Sequence, residues 1–233
     1  DFVSISVAAV PLKTTGTPSA QMPVVEKTVD IKMPDGTCDA VFIHPATGTH
    51  PGVLIWADAF GLRPALREMG KRLAAEGYAV LVPNPFYRSA KAPVLDMATF
   101  SFANPTDRAK LQPLMGAVNA PGNPEKDAVA YIAWLDAQPQ VDKTKKVGTQ
   151  GYCMGGPLVV RTAAAVPNRV GAGASLHGGG LVTANADSPH LLVPTMKASF
   201  LFAVAENDDQ RDPTAKDVLK ETYAKAKLPA EIE

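Results

Sequence analysis

Short apolar runs alternate with helix-period segments along most of this chain. Val24 to Lys32 alternates apolar and polar positions and predicts a strand, which turns at Pro34-Asp-Gly36. Cys38 to His44 alternates in the same way and predicts the returning arm of an antiparallel hairpin at a sheet edge. From there the pattern changes. Val53–Trp56, Tyr78–Val82, Gly171–His177 and Phe200–Ala205 are continuous apolar or small-residue runs, as expected of strands buried on both faces. Between them, Leu66, Met69 and Leu73 recur at helical spacing up to Gly77. Helices are also predicted from Asn123 to Ala137, with Asn123 as N-cap and Pro124 first, from Leu158 to Ala165, and from Pro213 to Lys227. Strand–helix alternation of this kind predicts an α/β fold around a mostly parallel sheet, in one domain spanning residues 23–233.

Two segments stand outside the pattern. Residues 1–22 read as an irregular N-terminal arm. Residues 89–122 are interrupted by Pro93, Pro105, Pro113 and Pro121, and read as an insertion that caps a cleft.

Composition narrows the function classes. The chain is 46% hydrophobic and 20% charged with a net charge of zero, and has no basic run to suggest a nucleic-acid or membrane-surface partner. No apolar stretch approaches the ~20 residues of a membrane span. Cys38 and Cys153 are far apart and form neither a disulfide framework nor a metal-type cluster, which suits a reducing, cytoplasmic setting. The chain starts at Asp1 rather than Met, so an export signal removed upstream is the alternative.

Candidate chemistry concentrates at Gly151-Tyr-Cys-Met-Gly155, which follows a short strand-compatible run and precedes a helix. This is the G-x-nucleophile-x-G elbow with cysteine in the serine position. Such a turn lifts the side chain above the sheet edge at a helix N-terminus, where the positive end of the dipole favours thiolate. The competing reading is a glycine-rich turn around an inert cysteine.

Gly-Tyr-Cys-Met-Gly-Gly resembles the nucleophile motif of the dienelactone hydrolase family, a branch of the α/β-hydrolases, and other landmarks follow in family order from about Val25. The resemblance implies an α/β-hydrolase fold and opening of esters or lactones through a Cys–Asp–His triad and an acyl-enzyme. It implies a small-molecule substrate, no cofactor and no metal. The chain is expected to be a monomer or small homo-oligomer. The oxyanion donors implied are the amides of Met154 and Ala59. Asp58 takes the place of the carboxylate that holds the resting nucleophile, with a helix N-cap as its alternative. Arg88 takes the place of an arginine for an acidic substrate. Counting from the strand end selects Asp208 as the triad acid, whereas counting back from Pro213 selects Asp209.

His177 closes a strand beside the nucleophile strand. It is expected to fix the Gly178-Gly-Gly180 turn or to touch substrate, and not to act as base. His44, His50 and His190 sit near prolines and read as loop residues. No residue occupies the family's place for the triad histidine, after the strand that starts at Pro229. Truncation at the C-terminus is therefore the first reading, and a pocket-bearing binding protein without a base is the second. A redox pair of Cys153 with Cys38 finds no support in the spacing.

Overall fold

The computed structural model describes residues 22–233, so the arm expected over residues 1–22 lies almost wholly outside the described residues. An eight-stranded sheet organises the rest. Strand β1 (Val24–Met33) and strand β2 (Gly36–Pro45) form the edge hairpin in unbroken register from Val24↔Pro45 to Met33↔Gly36. Strands β3 (Gly52–Trp56), β4 (Ala79–Pro83), β5 (Val147–Tyr152), β6 (Val170–Leu176), β7 (Ser199–Ala203) and β8 (Ala230–Ile232) follow. Their order across the sheet is β1-β2-β4-β3-β5-β6-β7-β8, antiparallel as far as β4 and parallel from there on. The short strand expected after Pro229 is β8, paired to β7.

Period-two alternation divides the core between the two faces. Val41, Ile43, Val53, Ile55, Val80 and Val82 point to one side, under helix α1 (Pro64–Ala75). On that helix a Cβ at Gly70 would lie 2.8 Å from Ile43 Cδ1, so a larger residue there would make the Ile43 side chain shift. The alternate residues Ala40, Phe42, Leu54, Trp56, Ala79 and Leu81 point to the other side. There they meet helices α3 (Asn123–Asp136) and α4 (Gly155–Ala165). Trp56 Nε1 donates to Thr162 Oγ1 at 2.9 Å, tying the end of β3 to α4 inside this core. On the α1 side, a groove lined by Val53, Leu73, Tyr78, Gln150, Ala174 and Leu201 stays open along the sheet face.

The insertion differs from its expected form. Residues 89–122 contain helix α2 (Pro105–Asn119), with Pro113 in its interior. Leu111, Leu114 and Val118 bury one stripe of it, and that packing outweighs the hydrogen bond and fit that Pro113 removes. Asn104 caps this helix by accepting from Thr106 N–H at 2.9 Å, and Pro105 takes its first position. Asn123 is not the N-cap of α3. Gly122 holds that place at φ 80°, and the Asn123 side chain donates instead to Ala117 O at 2.8 Å. Among the described residues no helix is long and apolar enough to cross a membrane.

Candidate active site

Strand β5 ends at Tyr152, and Cys153 stands between it and α4 with φ 51°. A side chain other than glycine's pays roughly 1–2 kcal/mol in this left-handed region. The flanking glycines are required by contact as much as by torsion. A Cβ on Gly151 would fall 2.3 Å from Gly155 O, and one on Gly155 would fall 2.5 Å from Trp56 O. One on Gly156 would meet Gly178 Cα at 2.6 Å, so the two glycine turns at the ends of β5 and β6 interlock.

The backbone N–H groups of Met154 and Ala59 lie near enough to the Cys153 sulfur to favour its thiolate. These are the two amides expected as oxyanion donors, one from each side of the nucleophile. Cys153 is half-buried, and that burial is the largest influence on its acidity, pushing the thiol above its ordinary range. The Met154 amide pulls the other way, the Asp58 and Asp208 carboxylates push further up, and the Ala59 amide again opposes them. The helix terminus therefore does not make Cys153 a resting thiolate. Desolvation and two facing carboxylates outweigh it.

Asp58 is held by a residue that the sequence did not single out. Arg63 grips it in bidentate fashion, Nη1 to Oδ1 and Nη2 to Oδ2, both at 2.7 Å. Phe60 N–H adds a bond to Oδ1 at 2.9 Å. Asp58 thus closes its own turn and does not cap α1, whose cap residue is Arg63. Toward Cys153 it acts through charge, since its oxygens are engaged elsewhere. Five residues separate Asp58 from Arg63, and nothing in that spacing marks the pair.

Asp208 lies on helix α5 (Glu206–Arg211). Its Oδ2 is 2.5 Å from Nδ1 of His177, and its side chain is only 12% exposed. Asp209 turns away to Lys216 on helix α6 (Ala215–Ala226), at 2.7 Å. His177 does not fix the glycine turn by its ring. It leaves β6 at φ 54°, donates its backbone N–H to Ala203 O at 2.8 Å, and carries its imidazole across to Asp208. The pairing depends on β6 lying beside β7, with Leu176 opposite Ala203, and adjacency of strands far apart in sequence cannot be read locally. Register also puts His177 next to Cys153, because Tyr152 pairs with Leu176 and Cys153 N–H donates to Leu176 O at 3.0 Å. Strand order thus sets Cys153 and His177 at the ends of neighbouring strands, with Asp208 bonded to the imidazole from beyond the next strand.

The Arg88 guanidinium is engaged by partners within the chain. Its guanidinium meets Asp127 at 2.8 and 2.7 Å and Asp35 at 3.1 and 2.8 Å, and stacks 4.6 Å from the Tyr87 ring centroid. Asp127 is almost fully buried and also accepts from Tyr87 OH at 2.8 Å. A substrate carboxylate would have to displace these partners.

The remaining candidates are structural. Cys38 is fully buried, bonded by Tyr131 OH at 3.3 Å, and burial pushes its thiol up to about 12. His44 is a buried residue of β2 rather than a loop residue, since the strand continues to Pro45. His50 ties two loops through Gly77 O and Thr47 O, and His190 bonds Ser188. Among the described residues, no three His, Cys, Asp or Glu side chains gather as a metal-ligand set.

Comparison with known proteins covers most of the chain. The model of the dienelactone hydrolase family matches residues 38–233. The carboxymethylenebutenolidase of Rhodococcus opacus is 28% identical over 139 residues, 58% of this chain and 48% of that protein. The carboxymethylenebutenolidase of Pseudomonas putida is 30% identical over 137 residues, 58% of this chain and 55% of the other. The matched segment thus spans about half the length of these curated relatives. Among solved structures, m3DLH superposes with a TM-score of 0.73 at 21% identity, covering 90% of this chain and 80% of its own. The dienelactone hydrolase-like promiscuous phosphotriesterase P91, from metagenomic libraries, superposes with a TM-score of 0.70 at 24% identity, with the same coverage. At these identities the superpositions establish the α/β-hydrolase fold.

Proposed function

This chain belongs to the dienelactone hydrolase family, and we propose that it hydrolyses carboxylic esters or lactones through an acyl-enzyme on Cys153. The observation that carries the reading is the glycine-walled elbow that holds Cys153 at φ 51°, with the Met154 and Ala59 amides close enough to its sulfur to favour the thiolate. Donors preorganised around a nucleophile are what a tetrahedral oxyanion needs, and removing one such donor typically costs about 10²–10³ in kcat.

The proton route assigned here runs through His177. Its Nδ1 is held by Asp208, which leaves Nε2 to take the Cys153 proton. The sulfur then attacks the substrate carbonyl carbon, and the oxyanion is held by the two amides. Collapse breaks the carbon–oxygen bond, and the imidazolium returns its proton to the leaving alkoxide. Water attacks the thioester with His177 taking its proton, releasing the acid and restoring the thiol. A thiol that stays protonated at rest makes this base necessary. Its removal is expected to cost about 10²–10⁴-fold. The family resemblance implied a different source for the base, on a loop after β8; in this chain the imidazole paired with Asp208 is that of His177.

Turnover of 4-nitrophenyl acetate should be lost in Cys153→Ala, and mass spectrometry should find the acetyl group on Cys153 of the quenched wild-type protein. His177→Ala and Asp208→Asn should each lower kcat by about 10²-fold or more. Undiminished turnover in His177→Ala would move the base to another histidine. Undiminished turnover in Cys153→Ala would end the acyl-enzyme reading altogether.

A further inference from the structure

Phe60 follows Ala59, so its ring stands one residue from an amide that meets the Cys153 sulfur. Two rings from the insertion gather on it. Phe100 and Phe102 lie 5.2 and 5.3 Å from the Phe60 centroid and 5.1 Å from each other, all three edge to face. Edge-to-face rings at this separation attract one another. Even so, burial does not account for the cluster. Phe60 and Phe100 are only partly covered, and Phe102 remains 55% exposed. The cluster is an open aromatic wall joined to the oxyanion loop.

Three guanidinium groups of this region already have carboxylate partners. Arg63 is bound in bidentate fashion to Asp58 and lies 5.6 Å from the Phe60 centroid. Arg88 is taken up by Asp127 and Asp35. Arg211 reaches toward Asp208, at 3.6 Å. What faces the sulfur is the charge of the Asp58 and Asp208 carboxylates. A second carboxylate on the substrate would meet the like charges of Asp58 and Asp208 there, whereas a phenyl group would meet three ring surfaces.

We propose that the Phe60–Phe100–Phe102 cluster is an acyl-side subsite that selects neutral esters carrying an aromatic group over esters carrying a second carboxylate. The selection rests on the hydrolase reading above for its use, but the subsite itself can be tested without turnover. It acts through binding, so it enters KM more than kcat.

Trifluoroethyl esters keep the alcohol free of any ring, so that only the acyl part varies. The phenylacetyl ester is expected to exceed the acetyl ester by about tenfold in kcat/KM, mainly through KM, and the monosuccinyl ester to fall below both. In Phe102→Ala and Phe100→Ala the phenylacetyl-to-acetyl ratio should shrink to about twofold. Calorimetric titration of Cys153→Ala with 4-phenylbutan-2-one, a neutral and unreactive ketone, reads the subsite alone. Binding that Phe102→Ala weakens severalfold supports the subsite even if every variant proves inactive as a hydrolase. Equal ratios in wild type and both phenylalanine variants, a preference for the monosuccinyl ester, or ketone binding indifferent to Phe102 would overturn it.

Discussion

At the scale of single residues, the two cysteines differ in the direction that matters for reactivity. Cys153 is half-buried beside two carboxylates, whereas Cys38 is enclosed, with its thiol pushed up to about 12. Limiting iodoacetamide should therefore label Cys153 first, and slowly at neutral pH, because the thiolate is the reacting species. The rate should climb with pH to a midpoint above that of an ordinary thiol. Asp58→Asn removes one of the charges that raise this thiol, and should move the midpoint down and speed labelling at pH 8. Peptide mapping of alkylated protein at a series of pH values checks both statements. Earlier labelling of Cys38, or a midpoint unmoved by Asp58→Asn, would contradict them. The motif alone pointed to a thiolate. What reversed that expectation was burial and the approach of Asp58 and Asp208, neither of which a pentapeptide carries.

At the scale of elements, the network on α3 explains how the region after β4 is fastened. Arg88 links Asp127 of α3 to Asp35 of the hairpin turn, and Lys126 adds its own contact to Asp35 at 2.8 Å. Removing the guanidinium would leave the Asp127 carboxylate buried without its main counter-charge, a change that typically costs about 3–5 kcal/mol. Arg88→Ala is therefore expected to lower the thermal midpoint clearly. Its KM for a carboxylate-bearing ester, measured where the variant is fully folded, should stay within about twofold of wild type. A large KM rise confined to acidic esters, with little loss of stability, would instead restore Arg88 as a clamp. Position after a strand end was a sound reason to consider Arg88. Its guanidinium meets a partner 39 residues away on a helix face, and such partners are set only when α3 packs.

For the whole molecule, the continuous apolar runs of β3 and β4 already implied burial on both faces, and the fold divides their alternate residues between two layers. The same enclosed core predicts how stability responds to alkali. Cys38 has its thiol raised from 9.0 to about 12, so between those values the unfolded chain releases a proton that the folded chain retains. The unfolded state then binds fewer protons, and unfolding free energy falls as pH rises. This contribution is whole below about pH 9 and lost on passing 12. Urea unfolding at pH 8 and pH 10.5 should show the decline, and Cys38→Ala should make it shallower. An equal slope in that variant would assign it to other groups, such as the buried Tyr131 and Tyr223, which are raised by the same desolvation.

By itself the sequence determined the buried strands, helices α1, α3, α4 and α6, the edge hairpin, the elbow around Cys153 and the acidic strand end that holds Asp208. Each depends on neighbours within a few residues: a periodicity, a glycine that must be small, or a count from a strand end. Even Pro113 shows the limit of that locality, since packing of Leu111, Leu114 and Val118 keeps α2 helical through it. Tertiary structure alone decided that His177 joins Asp208, that Arg63 holds Asp58, that Arg88 is spent on Asp127, and that Phe100 and Phe102 meet Phe60. Those pairings follow from strand order and helix packing, and so does the protonation state of Cys153. Desolvation and the field of distant charges are properties of the assembled molecule, and no local stretch of chain contains them.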